Sequence, residues 1–216
     1  MEIIPGILEK EWAAIEQKIE IVKDFTQVIH IDILDGKFAD NHTFLDPKPF
    51  KKYTSDILFE VHMMVDNPLQ YLQSFAAAGF KRFLGHVEKM PNITDFVAAA
   101  QLLGEVGLAV DGPTNLDTLH IPYEDLDSLL FMTIKAGFSG QKFDVSHLEK
   151  VKKAREAAYK NDELAIFPIE VDGGINDKTI LEAKEAGATR FVTTSFLFGA
   201  ADPKKQYEIL QNLIQK

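Results

Sequence analysis

The chain has 216 residues, enough for one large domain with a sizeable core. Its 33 acidic residues against 23 basic give a formal net charge of −10, which argues against nucleic acid or an anionic membrane surface as the main partner. Cysteine is absent, so disulfides and thiolate ligands are excluded and any metal must be held by histidine and carboxylate.

The first residues, Met1 to Pro5, show no basic region followed by an apolar run, and no apolar stretch approaches the roughly 18 residues of a membrane span. A soluble, cytoplasmic protein is expected. Residues 2–4 read as a short strand ended by Pro5-Gly6, and Trp12, Ile15, Ile19 and Val22 then recur at helical spacing. Residues 28–32 form the second strand. The loop behind it, 36–52, is long, polar and proline-containing, as lids and site walls often are. Residues 57–64 form the third strand, and Asn67-Pro68 is expected to open a helix with a cap and a proline at its first position, ended by Gly79.

Strand four is placed at 82–86, a helix at 93–103 and strand five at 107–110, with a turn at 111–114 and a short helix at 116–119. Strand six runs over 128–134, the glycine-containing loop over 135–143 and a helix over 147–160. Strand seven is placed at 164–172, a helix capped near Asn176 runs to 186, strand eight covers 190–194, and Asp202-Pro203 starts a closing helix with Leu210 and Ile214 one turn apart. An echo, Ala78-Gly79-Phe80 against Ala186-Gly187-Ala188, falls at two helix-to-strand turns four units apart. Eight strand-then-helix units with short connections predict a single-domain α/β protein over 1–216, a (β/α)8 TIM barrel.

In such a barrel the site lies at the C-terminal ends of the strands. His30 and Asp32 end strand two on one face, because side chains on a strand alternate. His62 lies near the end of strand three, His86 ends strand four and Asp172 ends strand seven. His30, Asp32, His62 and Asp172 offer nitrogen and oxygen donors suited to one divalent ion such as zinc, iron(II) or manganese. Glu60 and Glu170 precede His62 and Asp172 by two residues and are expected deeper on the same inward faces, as partners that orient the ligands or as parts of an internal salt bridge. The loop Gly137, Phe138, Ser139, Gly140, the pair Gly173-Gly174, and Thr194-Ser195 follow strands six, seven and eight, where backbone N–H groups and hydroxyls can meet a phosphate. Met64 shares the face of His62, whereas Met63 reads as core; His42, His120 and His147 receive no role.

Taken together, Ile4 to Leu8, His30 to Gly36, Val61 to Val65 with Asn67-Pro68, Met132 to Phe143 and Glu170 to Ile175 resemble the ribulose-phosphate 3-epimerases over almost the whole chain. The resemblance implies a barrel holding a divalent metal on His30, Asp32, His62 and Asp172. It also implies Asp32 and Asp172 as the acid and base pair, His62 beside the substrate, and the glycine segments with Thr194-Ser195 around a phosphate. The implied reaction interconverts D-ribulose 5-phosphate and D-xylulose 5-phosphate by proton transfer through an enediolate, which needs two carboxylates on opposite sides of the carbon. The implied partner is a small sugar phosphate, and barrels of this type commonly form homo-oligomers.

Departures from the family pattern cluster near the substrate. Gly6 stands where the family usually has Ser, Leu34 replaces Met, Ala136 replaces Pro, Ser139 replaces Gly and Thr194 replaces Gly. Alternatives therefore stay open: the same chemistry on a hexulose phosphate such as D-allulose 6-phosphate, for which Gly6 would make room; a decarboxylase or aldolase; and a sugar-phosphate-binding relative of low activity.

Overall fold

The computed structural model describes residues 1–116, 119, 122–160 and 167–215. Eight parallel strands close in sequence order: β1 (Glu2–Ile7), β2 (Val28–Leu34), β3 (Leu58–Met64), β4 (Arg82–His86), β5 (Glu105–Val110), β6 (Ser128–Met132), β7 (Ile169–Asp172) and β8 (Arg190–Thr193). β8 returns to β1, with Ile4 opposite Val192 and Pro5 opposite Thr193. The helices α1 (Trp12–Val22), α2 (Leu72–Ala77), α3 (Ile93–Gln101), α4 (Leu148–Tyr159), α5 (Thr179–Glu185), α6 (Ser195–Phe198) and α7 (Pro203–Gln215) lie along the chain between and after these strands. The expected (β/α)8 barrel is the fold. No helix among the described residues is long and apolar enough to cross a membrane.

Alternation along the strands sorts side chains between two environments. On β2, Ile29, Ile31 and Ile33 join the main apolar core between sheet and helices, while His30, Asp32 and Leu34 lie on the other face. On β3, Phe59, Val61 and Met63 belong to the same core, opposite Glu60, His62 and Met64. Ile15, Ile19 and Val22 from α1, and Tyr207, Leu210 and Ile214 from α7, recur one turn apart and close the outer layer. The echoed segments share one device: Gly79 and Gly187 end α2 and α5 with φ of 102° and 107°. The amides of Phe80 and Ala188 then bond back to Phe75 O and Ala183 O, six-to-one closures that a β-carbon at positive φ would strain.

Several boundaries differ from expectation. Asn67 does not cap a helix: its φ is 55°, its side chain makes no capping bond, and a 3-10 turn over Pro68–Tyr71 precedes α2. β6 ends at Met132 rather than 134. β7 begins at Ile169, since Pro168 has no N–H to give the ladder. The expected start of that strand at 164, residues 117 and 118 of the expected short helix, and His120 lie outside the described residues. The Asn176 side-chain oxygen Oδ1 does accept the amides of Lys178 and Thr179 at 2.9 and 3.1 Å at the start of α5.

Candidate active site and metal centre

Register brings the predicted donors together. Asp32 pairs with His62 across β2 and β3, and His30 pairs with Glu60 one step below. His30, Asp32, His62 and Asp172 are all buried, and one donor atom from each lies within 4.8 Å of the others. Asp32 Oδ1 is 2.8 Å from His62 Nδ1 and 3.2 Å from His30 Nε2, and Asp172 Oδ2 is 3.5 Å from His62 Nδ1. A first-row divalent ion with bonds of about 2.1 Å keeps its ligand atoms roughly 3–4 Å apart, so the donor set fits such an ion in chemistry and in spacing.

The electrostatics are those of a site made for a cation. Burial alone would drive the proton off His30, but the Asp32 carboxylate, the nearby Glu170 and the hydrogen bond to Glu60 outweigh it and hold the imidazole well above its ordinary value. Burial likewise opposes the charge on Asp32, yet His30 and His62 keep its carboxyl well below the usual range. Against the same burial, Asp172 and Asp32 raise His62.

Below the quartet, Glu60 Oε1 accepts from His30 Nδ1 at 2.6 Å, and Arg82 Nη1 donates to Glu60 Oε2 at 2.5 Å. Burial would raise Glu60, but the His30 bond and Arg82 hold it at about 2. Arg82 also donates to Glu105 at 2.7 Å. Arg190 lies 3.8 Å from Glu105 and 3.5 Å from Glu2, so ion pairs run from the N-terminal end of the barrel to the foot of the site. Glu170 lies 3.4 Å from His30 Nδ1, whose proton is already committed to Glu60; burial and the Glu60 charge push Glu170 up to about 7. A second ion among His30, Glu60 and Glu170 would meet the like charge of Arg82, which already pairs with Glu60 there.

Arg82, Glu105 and Arg190 are absent from the expected set, although Arg82 stands in period-two register with His86. His86 ends β4 but stays outside the quartet. Its ring stacks on His62 at 4.8 Å between centroids and its Nδ1 pairs with Glu88 at 2.8 Å. Burial and the His62 charge hold His86 below its ordinary value. Burial opposes ionisation of Glu88 too, yet the His86 bond and the Asp111 amide at 2.8 Å keep it at about 2. Because the folded value is below 4.5, this stabilisation is full above pH 4.5 and is lost as pH falls toward 2. Glu88→Gln is expected to cost about 2 kcal/mol at pH 7. It should also flatten the acid limb of stability between those values, as read by urea unfolding at a series of pH; an unchanged limb would remove Glu88 from the acid response.

Above the quartet opens a pocket whose floor shows Asp32 and Asp172. Gly137, Phe138, Ser139, Gly140, Gly173, Gly174, Thr194 and Ser195 all line it, while His30 and His62 are fully buried beneath. Gly137, Gly140, Gly173 and Gly174 have φ of 114°, 79°, 118° and 67°, conformations in which backbone amides turn toward a concavity. The loop after β2 serves as a wall: Asn41 Nδ2 donates to Gly137 O at 2.8 Å, and Phe38 and Ala39 pack on an apolar cluster with Met64 and Met132. Sequence reading missed the apolar lining by Leu8, Ile134, Ile175 and Val192, which carry no chemical label.

Two expectations about the departures are corrected. Leu34 is fully buried in that apolar cluster and does not line the pocket. Nor does Gly6 leave room: a β-carbon there would lie 2.5 Å from Thr194 Oγ1 and 2.7 Å from Val192 Cγ1, so the space is filled from β8 and its end. His147 binds the Met132 carbonyl through Nδ1 at 2.9 Å, and the His42 ring packs at Gly36; neither joins the quartet.

The profile of the "Ribulose-phosphate 3 epimerase family" matches residues 2–198. The chain is 33% identical over 209 residues to the ribulose-phosphate 3-epimerase of Bacillus subtilis, with 95% of each chain covered. It is 35% identical over 207 residues to that of Mycobacterium leprae, covering 93% of this chain and 89% of the relative. Among solved structures, 3-hexulose-6-phosphate synthase from Salmonella typhimurium aligns with a TM-score of 0.73 at 16% identity, covering 100% and 99% of the two chains. KGPDC from Streptococcus mutans in complex with D-R5P aligns at 0.76 and 13% identity, covering 99% and 96%. At those identities the structural likeness speaks to the barrel alone.

Proposed function

The chain belongs to the ribulose-phosphate 3-epimerase family, and from that premise we propose that it interconverts D-ribulose 5-phosphate and D-xylulose 5-phosphate by moving a proton at C3 between two aspartates. The observation that carries this reading is that Asp32 and Asp172 both face one pocket from β2 and β7. Those strands are three positions apart around the barrel, so the carboxylates approach a bound sugar from different sides. Inversion needs that: one carboxylate takes the C3 proton from one face, and the other, protonated, returns one to the opposite face of the enediolate.

His30 through Nε2, His62 through Nδ1, Asp32 and Asp172 would hold the divalent ion, zinc, iron(II) or manganese. When bound, that ion supplies Lewis-acid polarisation of the ketone. Glu60 fixes the His30 ring so that Nε2 points at the carboxylates. Met64, Met132 and Ile134 give apolar walls that keep water from the reacting carbon. The amides of Gly137, Gly140, Gly173 and Gly174, with Ser139 and Ser195 at the rim, receive the phosphate, and Phe138 flanks it. The filled space over Gly6 favours the pentulose over the longer hexulose phosphate.

Stripping divalent ions with a chelator is expected to reduce turnover of D-ribulose 5-phosphate at least 100-fold. Adding back zinc, manganese or iron(II) one at a time identifies the working ion. The same assay with D-allulose 6-phosphate should give a kcat/KM at least tenfold lower, since a further carbon has no space beside Gly6. Full activity after verified metal removal, or a preference for the hexulose, would contradict this reading.

A further inference from the structure

We infer that the Thr194 hydroxyl recognises a sugar hydroxyl at the β1 side of the pocket, and that Gly6 is the gap that admits the threonine side chain. The inference rests on the reading of the ligand as a ketose phosphate. Thr194 follows β8, and since Pro5 faces Thr193 in the ladder, Gly6 is the next residue of β1 beside it. On its other side Gly6 pairs with His30. Thr194 Oγ1 stands only 2.5 Å from where a β-carbon on Gly6 would be, so the hydroxyl occupies a volume that any larger residue at position 6 would claim. Positions 6 and 194 therefore compete for one volume, and here the Thr194 hydroxyl holds it.

Three further observations point to a ligand hydroxyl. Thr194 is half-buried and lines the pocket with Asp32 and Asp172. Its carbonyl is engaged by the Phe198 amide at 2.9 Å, whereas no described residue hydrogen-bonds its hydroxyl. The other uncharged polar side chains of the pocket, Ser139 and Ser195, sit exposed at the rim. Deeper in, the walls are apolar, so a neutral sugar hydroxyl reaching toward Gly6 meets Thr194 as its hydrogen-bond partner. A hydroxyl both donates and accepts, which suits another hydroxyl. The phosphate, by contrast, belongs with the glycine amides farther out.

The test uses the metal-loaded full chain and two ligands that do not react, xylitol 5-phosphate and inorganic phosphate, titrated calorimetrically against wild type, Thr194→Val and Thr194→Ser. Valine keeps the shape and removes the hydroxyl; serine keeps the hydroxyl. Thr194→Val is expected to bind xylitol 5-phosphate about tenfold more weakly, with Thr194→Ser within about twofold of wild type. Inorganic phosphate binding and the thermal midpoint should be unchanged in both. The inference is overturned if Thr194→Val binds the polyol phosphate as wild type does, or if Thr194→Ser is as weak as Thr194→Val. It is overturned equally if inorganic phosphate weakens in the same ratio, which would give the hydroxyl to the phosphate, or if wild type does not bind the polyol phosphate. The epimerase reading is judged separately, by turnover of the wild type, and fails or stands whatever the ratio between variants.

Discussion

Asp172→Asn is expected to lower kcat on D-ribulose 5-phosphate by about 10³-fold while leaving the far-ultraviolet spectrum and the unfolding midpoint close to wild type. Asparagine keeps the size of the side chain but can neither take a proton from carbon nor return one. Asp172 ends β7, is 8% exposed, and meets the rest of the quartet through the 3.5 Å approach to His62. Little of the barrel therefore depends on its charge, and the loss should be one of chemistry. Metal content measured on the same sample separates a missing proton carrier from a missing ligand: with the ion retained and turnover gone, the role is proton transfer. Turnover within about threefold of wild type would remove Asp172 from the reaction.

The largest effect on stability is expected at Glu60. Its two oxygens are held by His30 at 2.6 Å and Arg82 at 2.5 Å, and the side chain is fully buried. Glu60→Ala takes from the buried guanidinium its one fully buried hydrogen-bonded partner, leaving Glu105, and strips the imidazole of its main anchor; breaking such a buried pair costs about 3–5 kcal/mol. Chemical unfolding of the metal-free protein measures this directly. Competition against a coloured chelator should show metal affinity reduced about 10–100-fold, because nothing then fixes the direction of His30 Nε2. A loss below about 1 kcal/mol would mean that Glu60 does not hold the interior chain of charges together.

The barrel and the clustering of the four buried donors were legible in the sequence for one reason: both rest on period-two alternation combined with strand ends, and those signals are local. His30 and Asp32 share a face by arithmetic, and the rule that barrel chemistry lies at strand C-termini brought in His62 and Asp172 from distant segments. What stayed hidden depends on closure. Arg82, Glu105 and Arg190 lie at strand starts, where charges ordinarily face solvent, and only the closed barrel turns them toward Glu60 and Glu2. Leu34 was expected to cover the substrate because it shares the face of Asp32, but the loop carrying Phe38 and Ala39 folds over it. Asn67 was expected to cap a helix through its side chain, but it sits at positive φ before a 3-10 turn and makes no capping bond. Gly6 looked like lost volume until the end of β8 was placed beside it, which no spacing along the chain reveals.

The central claim is that two aspartates on different sides of one pocket exchange a proton at C3 of a ketose phosphate. It is tested most directly by incubating the wild-type protein with D-ribulose 5-phosphate in deuterium oxide and following C3 by proton NMR. The account predicts D-xylulose 5-phosphate as the product with deuterium at C3, because the carboxylate that protonates the enediolate exchanges with solvent. Retention of the original C3 proton in the product, or no inversion by a protein shown to contain its divalent ion, would contradict it.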